Sequence, residues 1–158
     1  MKTIEDLVRE NPVFEDVDND ILELISGCGQ NVAFEADEFL FREGDSAERF
    51  FLLRGGTVAL EIFVPGHGPM IFKTLQENEF AGTSWLIPPY RWKYDARATS
   101  RVHAITFDAQ CMRDKSEADN RVGYALMKKF VPVLIDRLQT AQLQMLDVFS
   151  RHDELVGQ

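Results

Sequence analysis

Apolar positions along this chain follow a helical period, then a strand-like texture, then a helical period again. Between residues 3 and 27, Ile4, Leu7 and Val8 precede NPVF, and Ile21, Leu22, Leu24 and Ile25 follow the capping candidates Asp18 and Asn19 at helical spacing. Residues 1–28 are therefore predicted to form two short amphipathic helices broken at Pro12. From Gly29 to Phe107, short apolar runs such as RFFLL, TVALEIFV, MIFKTL and VHAITF are separated by EADE, EGD, RGG and PGHGP. Strands of about five residues joined by such turns predict a sandwich or barrel over residues 29–108. The segment 109–158 turns helical again, with glycine from Ala118 to Phe149 only at Gly123 and proline only at Pro132. Met127, Val131, Leu134, Leu138, Ala141, Met145 and Val148 alternate steps of four and three, the a/d stripe of a coiled coil held for about three heptads. A second row, Phe130, Leu146 and Phe149, would pack on the barrel while the stripe faces a partner helix; a stripe that only covers the barrel is the competing reading. Pro132 lacks an amide hydrogen and is expected to kink this helix or to begin its second part. The tail from Arg151 to Gln158 is expected to fray.

Composition narrows the classes. A chain of 158 residues with 45% apolar and 11% aromatic content can bury one domain's core without metals or disulfides. A net charge of −9 argues against a nucleic-acid binder, which needs a concentrated positive face. Cys28 and Cys111 lie far apart with no C-x-x-C spacing, and MKTIEDLVREN does not read as a signal peptide, so reduced thiols in a cytoplasmic protein are expected. No apolar run approaches the roughly 18 residues of a membrane span.

A specific motif sits inside the strand-rich region. In FREGDSAERFFLLRGGTVAL, residues 41–60, Gly44 and Asp45 make a tight turn, Phe50 to Leu53 read as a strand, Arg54 to Gly56 supply the next turn, and Val58 and Leu60 alternate inward. This stretch, the NPVFEDV lead-in and the terminal helix resemble the cyclic-nucleotide-binding domain of the Crp/Fnr regulator family. The resemblance spans about residues 5 to 150. It implies a mainly β fold with flanking α, a double-stranded β-helix (jelly-roll, cupin-like) barrel with short N-terminal helices and a long C-terminal dimerisation helix.

The same resemblance places the family's phosphate-binding cassette on FAGTSWL, residues 80–86, and on the unusual SWLIPPYRWKYDARA that overlaps it. In ligand-binding members a glycine turn and a short helix present backbone N–H groups to a phosphate, a Glu accepts from the ribose hydroxyl, and an Arg pairs with the phosphate. Here Gly82 is kept, the Glu position falls on Thr83, and the Arg position falls on Trp92. Arg91 is one residue out of register, which in a strand means the opposite face, and Arg97 is five positions from Trp92. Gly82, Thr83, Ser84, Arg91, Trp92 and Arg97 are the candidate ligand-binding residues. Three readings stay open: a pocket for another small ligand or none, a divergent pocket that takes cyclic AMP or cyclic GMP through Arg91 or Arg97, and a purely structural aromatic cluster. Arg91 and Lys93 beside Trp92 would suit an anionic, ring-bearing ligand.

Other chemistry finds little support. His67, His103 and His152 share no spacing, so the metal-binding cupin reading lacks its ligand cluster. Ser84, Asp95 and His103 could be written as a triad, but no G-x-S-x-G elbow surrounds the serine. A non-enzymatic, homodimeric sensing module paired through residues 127–148 is expected, without membrane or direct nucleic-acid contact. The chain ends too soon after its long helix for the family's helix-turn-helix domain, so a stand-alone sensor is the expectation. A ligand-free scaffold that presents the IPPYRW surface to a protein partner is the alternative.

Overall fold

Thr3 opens the first helix, α1 (Ile4–Glu10), with a reciprocal capping box: its hydroxyl accepts the Asp6 amide at 3.1 Å while the Asp6 carboxylate accepts the Thr3 amide at 3.0 Å. Asn11 ends α1 in an extended conformation, and Pro12 starts a 3-10 turn, Pro12–Phe14, so the helical lead-in breaks where the proline predicts. The second helix, α2 (Asn19–Ser26), buries Ile21, Leu22 and Ile25. The computed structural model describes residues 1–156, with side chains to residue 152.

Eight strands follow: β1 (Gly29–Phe34), β2 (Phe39–Phe41), β3 (Arg49–Gly55), β4 (Val58–Val64), β5 (Gly68–Leu75), β6 (Phe80–Ala81), β7 (Asp95–Ala98) and β8 (Val102–Asp108). They pair antiparallel in two four-stranded sheets, ordered β1-β8-β3-β6 and β2-β7-β4-β5. The expected mainly β roll with flanking helices is what the chain forms. Its predicted turns carry the backbone such turns require, for example φ +88° at both Gly44 and Gly56. A side chain at Gly56 would also run into the backbone of Arg101 and Val102, so this turn needs glycine twice over. Phe50, Leu52, Leu60, Ile105 and Phe107 are fully buried, and the Phe50 ring stacks on Phe107 with 5.0 Å between centroids.

The β1–β8 ladder corrects one expectation. It sets Gly29 opposite Phe107, so the residue before β1 meets the residues that follow β8. The Asp108 amide donates to the Cys28 carbonyl at 2.9 Å, and helix α3 (Ala109–Ala118) starts at once. Cys111 in its first turn is joined to Cys28 by a disulfide, with 5.7 Å between their Cα atoms. The two cysteines are not the reduced thiols that their sequence separation implied; strand register cancels that separation.

The terminal helices correct another. The break lies at Asp119, extended at φ −142° and ψ 107°, whose carboxylate accepts the Arg121 amide at 3.0 Å and so starts a new helix. That helix, α4 (Asn120–Val156), continues through Pro132, so the second helical part begins 12 residues earlier than the proline indicated. The tail expected to fray from Arg151 is helical to Val156; Gly157 and Gln158 lie outside the described residues. The chain divides into two compact units, Met1–Ala125 and Leu126–Gln158. Among the described residues no helix is long and apolar enough to cross a membrane.

Candidate functional site

β6 hands the chain to Gly82, whose φ of +103° lies in the region that disfavours side chains. A Cβ there would come within 2.7 Å of the Trp92 ring and 3.6 Å of Phe41. Trp92 is 4% exposed and stacks flat on Phe41, with centroids 3.8 Å apart and planes 13° from parallel. Of the six candidate residues, then, Gly82 and Trp92 are brought into direct contact, and the aromatic ring occupies the space the bare glycine leaves. Stacking of this kind contributes about 0.5–1.5 kcal/mol beyond area burial.

Thr83 and Ser84 follow, half-buried, at the start of a 3-10 turn, Ser84–Leu86, and the Thr83 hydroxyl makes no cap bond to it. Trp85 is buried against Phe50 at 4.4 Å. Ile87, Pro88 and Pro89 are exposed. Beyond them the chain is tied to the EGD turn: the Ala47 amide donates to the Tyr90 carbonyl at 2.6 Å, the Trp92 amide to Asp45 at 3.0 Å, and the Gly44 amide to Trp92 at 2.9 Å. These bonds alternate the side chains of 91 and 92, so Trp92 turns inward while Arg91 stays exposed and donates to the Gly44 carbonyl at 3.0 Å.

Arg97 has other partners. Its Nε donates to Glu61 at 2.8 Å and its Nη1 to Asp37 at 2.9 Å. The register explains this, because Glu61↔Asp95 and Ala59↔Arg97 put Asp95, Arg97 and Glu61 on one face of the β4–β7 pair and Ala96 and Ala98 on the other. Hydrogen bonding to Glu61, against some desolvation and aided by the charges of Glu61 and Asp37, pushes the Arg97 pKa above its ordinary value. Beside it lies an open cavity of about 570 Å³, walled by Phe39, Phe63 and the carboxylates of Glu43, Asp45, Glu61 and Asp95. Arg42 lies over the Phe39 ring at 3.9 Å and 3.6 Å from Asp95. An excess of carboxylates makes that cavity a poor place for a phosphate.

Sequence reasoning missed Arg113. From α3 it donates to the Trp85 carbonyl at 2.7 Å and places its guanidinium 4.1 Å from the Tyr90 ring centre, clamping both ends of the IPP loop. Nothing in its local sequence marks it, since only the tertiary fold brings α3 to the cassette. Phe41 opens the FREGD motif, but nothing in the sequence marks it as the floor under Trp92.

The family model described as Cyclic nucleotide-binding domain matches residues 31–119. Cyclic nucleotide-gated ion channel 18 of Arabidopsis thaliana is 30% identical over 139 residues, 87% of this chain and 19% of that protein. Human cGMP-dependent protein kinase 2 is 30% identical over 81 residues, 51% of this chain and 11% of the kinase. This chain thus spans a fifth or less of the curated relatives it matches. Among solved structures, a putative cyclic nucleotide-binding protein from Geobacter metallireducens superposes with a TM-score of 0.73 at 26% identity, over 87% of this chain and 99% of that one.

Proposed function

This chain belongs to the cyclic nucleotide-binding domain family, and from that premise we propose a ligand-sensing regulatory module whose cassette has left standard cyclic-nucleotide chemistry. The observation that carries the reading is Trp92: buried, stacked on Phe41 and set against Gly82, where the resemblance would place the family's phosphate-binding arginine. A neutral indole in that place supplies no charge for a phosphate, and Thr83 offers one hydroxyl where the family has a carboxylate. Arg91 and Arg97 are engaged by Gly44 and by Glu61 with Asp37, which supports neither as a ready substitute. In this reading residues 1–28 are a lead-in, 29–108 the sensing barrel, and 109–158 a helical output segment that pairs with a second copy. The role is sensing rather than catalysis or DNA reading, and a cytoplasmic location belongs to the same proposal.

The test is thermal unfolding with millimolar cyclic AMP, cyclic GMP and cyclic dinucleotides. A ligand present at about a hundred times its dissociation constant raises Tm by about 5 to 10 degrees in a domain of this size. No such rise is expected here. A rise that disappears in Arg91→Ala or Arg97→Met overturns the proposal and makes the chain a nucleotide sensor with a re-registered phosphate site.

The scaffold reading draws on one observation, the exposure of Ile87 (71%) beside Pro88 and Pro89. Trp92 cannot be its contact residue while it is buried, so Ile87→Asp is the informative variant. It should abolish capture of a protein partner while leaving Tm unchanged.

A further inference from the structure

The disulfide lies outside the cassette, yet one short helix connects the two. Cys111 sits in the first turn of α3, and Arg113 on that helix grips the cassette at Trp85 and Tyr90. On its other side α3 is anchored to the lead-in by the Cys28–Cys111 bond, by the Asp108 amide on the Cys28 carbonyl at 2.9 Å and by Lys115, whose ammonium donates to the Leu24 carbonyl at 2.6 Å. The covalent bond is the tie among these that a reaction can remove. It is also reachable. Cys111 is half-buried rather than buried, and a cavity of about 180 Å³ opens onto Cys28, lined by Gln30, Arg49, Thr106 and Asp108.

We propose that Cys28–Cys111 is a thiol–disulfide exchange site for a dithiol, and that its redox state sets how firmly α3 holds the cassette through Arg113. One thiolate of the dithiol attacks the Cys111 sulfur, forming a mixed disulfide and releasing Cys28 as a thiolate into the cavity that both Arg49 and Asp108 line, where it takes up a proton. The second thiolate of the dithiol then attacks its own sulfur in the mixed disulfide and releases Cys111. The dithiol leaves as a disulfide, oxidised by two electrons, and the chain gains two electrons, with protons taken up as the thiolates are neutralised. Cys111 is freed in the first turn of a 10-residue helix, whose dipole favours a thiolate although the Asp108 carboxylate already accepts the Cys111 amide at 2.7 Å. Reduction leaves α3 held by the Lys115 and Asp108 bonds, by the Ala109 amide on the Glu48 carbonyl and by buried Ala109 and Met112, so the middle of the helix, where Arg113 sits, loses its covalent brace to the lead-in. The Trp85 carbonyl and Tyr90 ring lose a fixed partner. Disulfides in a reducing compartment are generally transient or sensing ones, so a cytoplasmic setting would make this bond a reporter rather than a staple. The inference does not depend on which ligand the cassette takes.

The experiment uses the full oxidised chain and dithiothreitol as the dithiol. Alkylation with iodoacetamide and mass spectrometry read the cysteines, while amide hydrogen exchange of residues 84–92 reads the cassette. Cys28 and Cys111 should become alkylated together while far-UV circular dichroism stays native. Exchange in 84–92 should then speed up by at least about tenfold, the signature of a lower local opening free energy. Arg113→Gln should exchange fast in that segment before and after reduction, and the Cys28→Ser/Cys111→Ser double variant should match the reduced wild type without responding to dithiothreitol. Cysteines that stay blocked until the chain unfolds overturn the exchange site. Full reduction with unchanged exchange in 84–92 overturns the coupling. If the double variant fails to fold, reduction of the wild type decides both points.

Discussion

Arg97 answers to two carboxylates of very different standing. The Glu61 side chain is 5% exposed and the Asp37 side chain 84%, with Arg97 itself at 25%. An exposed partner contributes little, typically under about 1 kcal/mol, whereas a buried carboxylate stripped of its cation must be desolvated alone or take up a proton. Arg97→Met is therefore expected to lower unfolding free energy by about 3 kcal/mol, the low end for a buried pair because Arg97 is partly solvated, and Asp37→Asn by less than about 1 kcal/mol. Urea titration of both variants checks this. Equal costs would mean that water already reaches Glu61. Sequence alone offered Arg97 as a phosphate partner, because an arginine next to the cassette looks the same whichever side of β7 it occupies. Only the pairing of β7 with β4 puts it beside a glutamate.

Among the elements, α4 contains its own anomaly. Pro132 lies within a continuous helix, where it lacks the amide that would bond the carbonyl four residues back and its ring crowds that carbonyl. A proline in a helix interior costs about 3 kcal/mol relative to alanine. Pro132→Ala should accordingly raise helicity in far-UV circular dichroism and increase Tm. A fall in Tm would mean instead that α4 depends on the shape proline imposes on it. The new helical part that the proline could have begun starts instead after Asp119, whose side chain accepts the Arg121 amide, a capping signal the sequence does contain. Strands were easier. The runs around RFFLL and VHAITF alternate with glycine turns and lie where expected, whereas the two-residue β6 and the 3-10 turn at Ser84 are too short to carry any period.

For the whole molecule, the decisive question is what covers α4. Leu126 and Phe130 are buried, while Val131, Leu134, Leu138, Met145 and Val148 are between 43% and 65% exposed; of the row expected to pack on the barrel only Phe130 is covered, and Leu146 and Phe149 are exposed like the stripe. Regularly spaced apolar side chains left in water along several turns are the stripe the heptad pattern described, and pairing with a second copy would bury them. Leu138→Glu together with Met145→Glu should convert a dimer into a monomer in sedimentation equilibrium with little change in the barrel's unfolding. An unchanged dimer would move the interface elsewhere, and a wild-type monomer would reassign the stripe to another partner.

What the chain's sequence determined by itself is what depends on local period and local turn chemistry. That covers the two lead-in helices, the barrel of short strands, the long apolar-striped helix, and through the FREGD stretch and the NPVFEDV lead-in the family. Each of these is written in neighbouring residues, and neighbours are what propensity and spacing can register. Tertiary structure decided the rest. It closed β1 on β8 and so joined Cys28 to Cys111, turned Trp92 inward over Gly82 while leaving Arg91 outside, gave Arg97 to Glu61, and carried Arg113 from α3 to the cassette. Those contacts depend on strand register and on helix placement, and a shift of one residue in either would reverse them without altering the hydrophobic pattern.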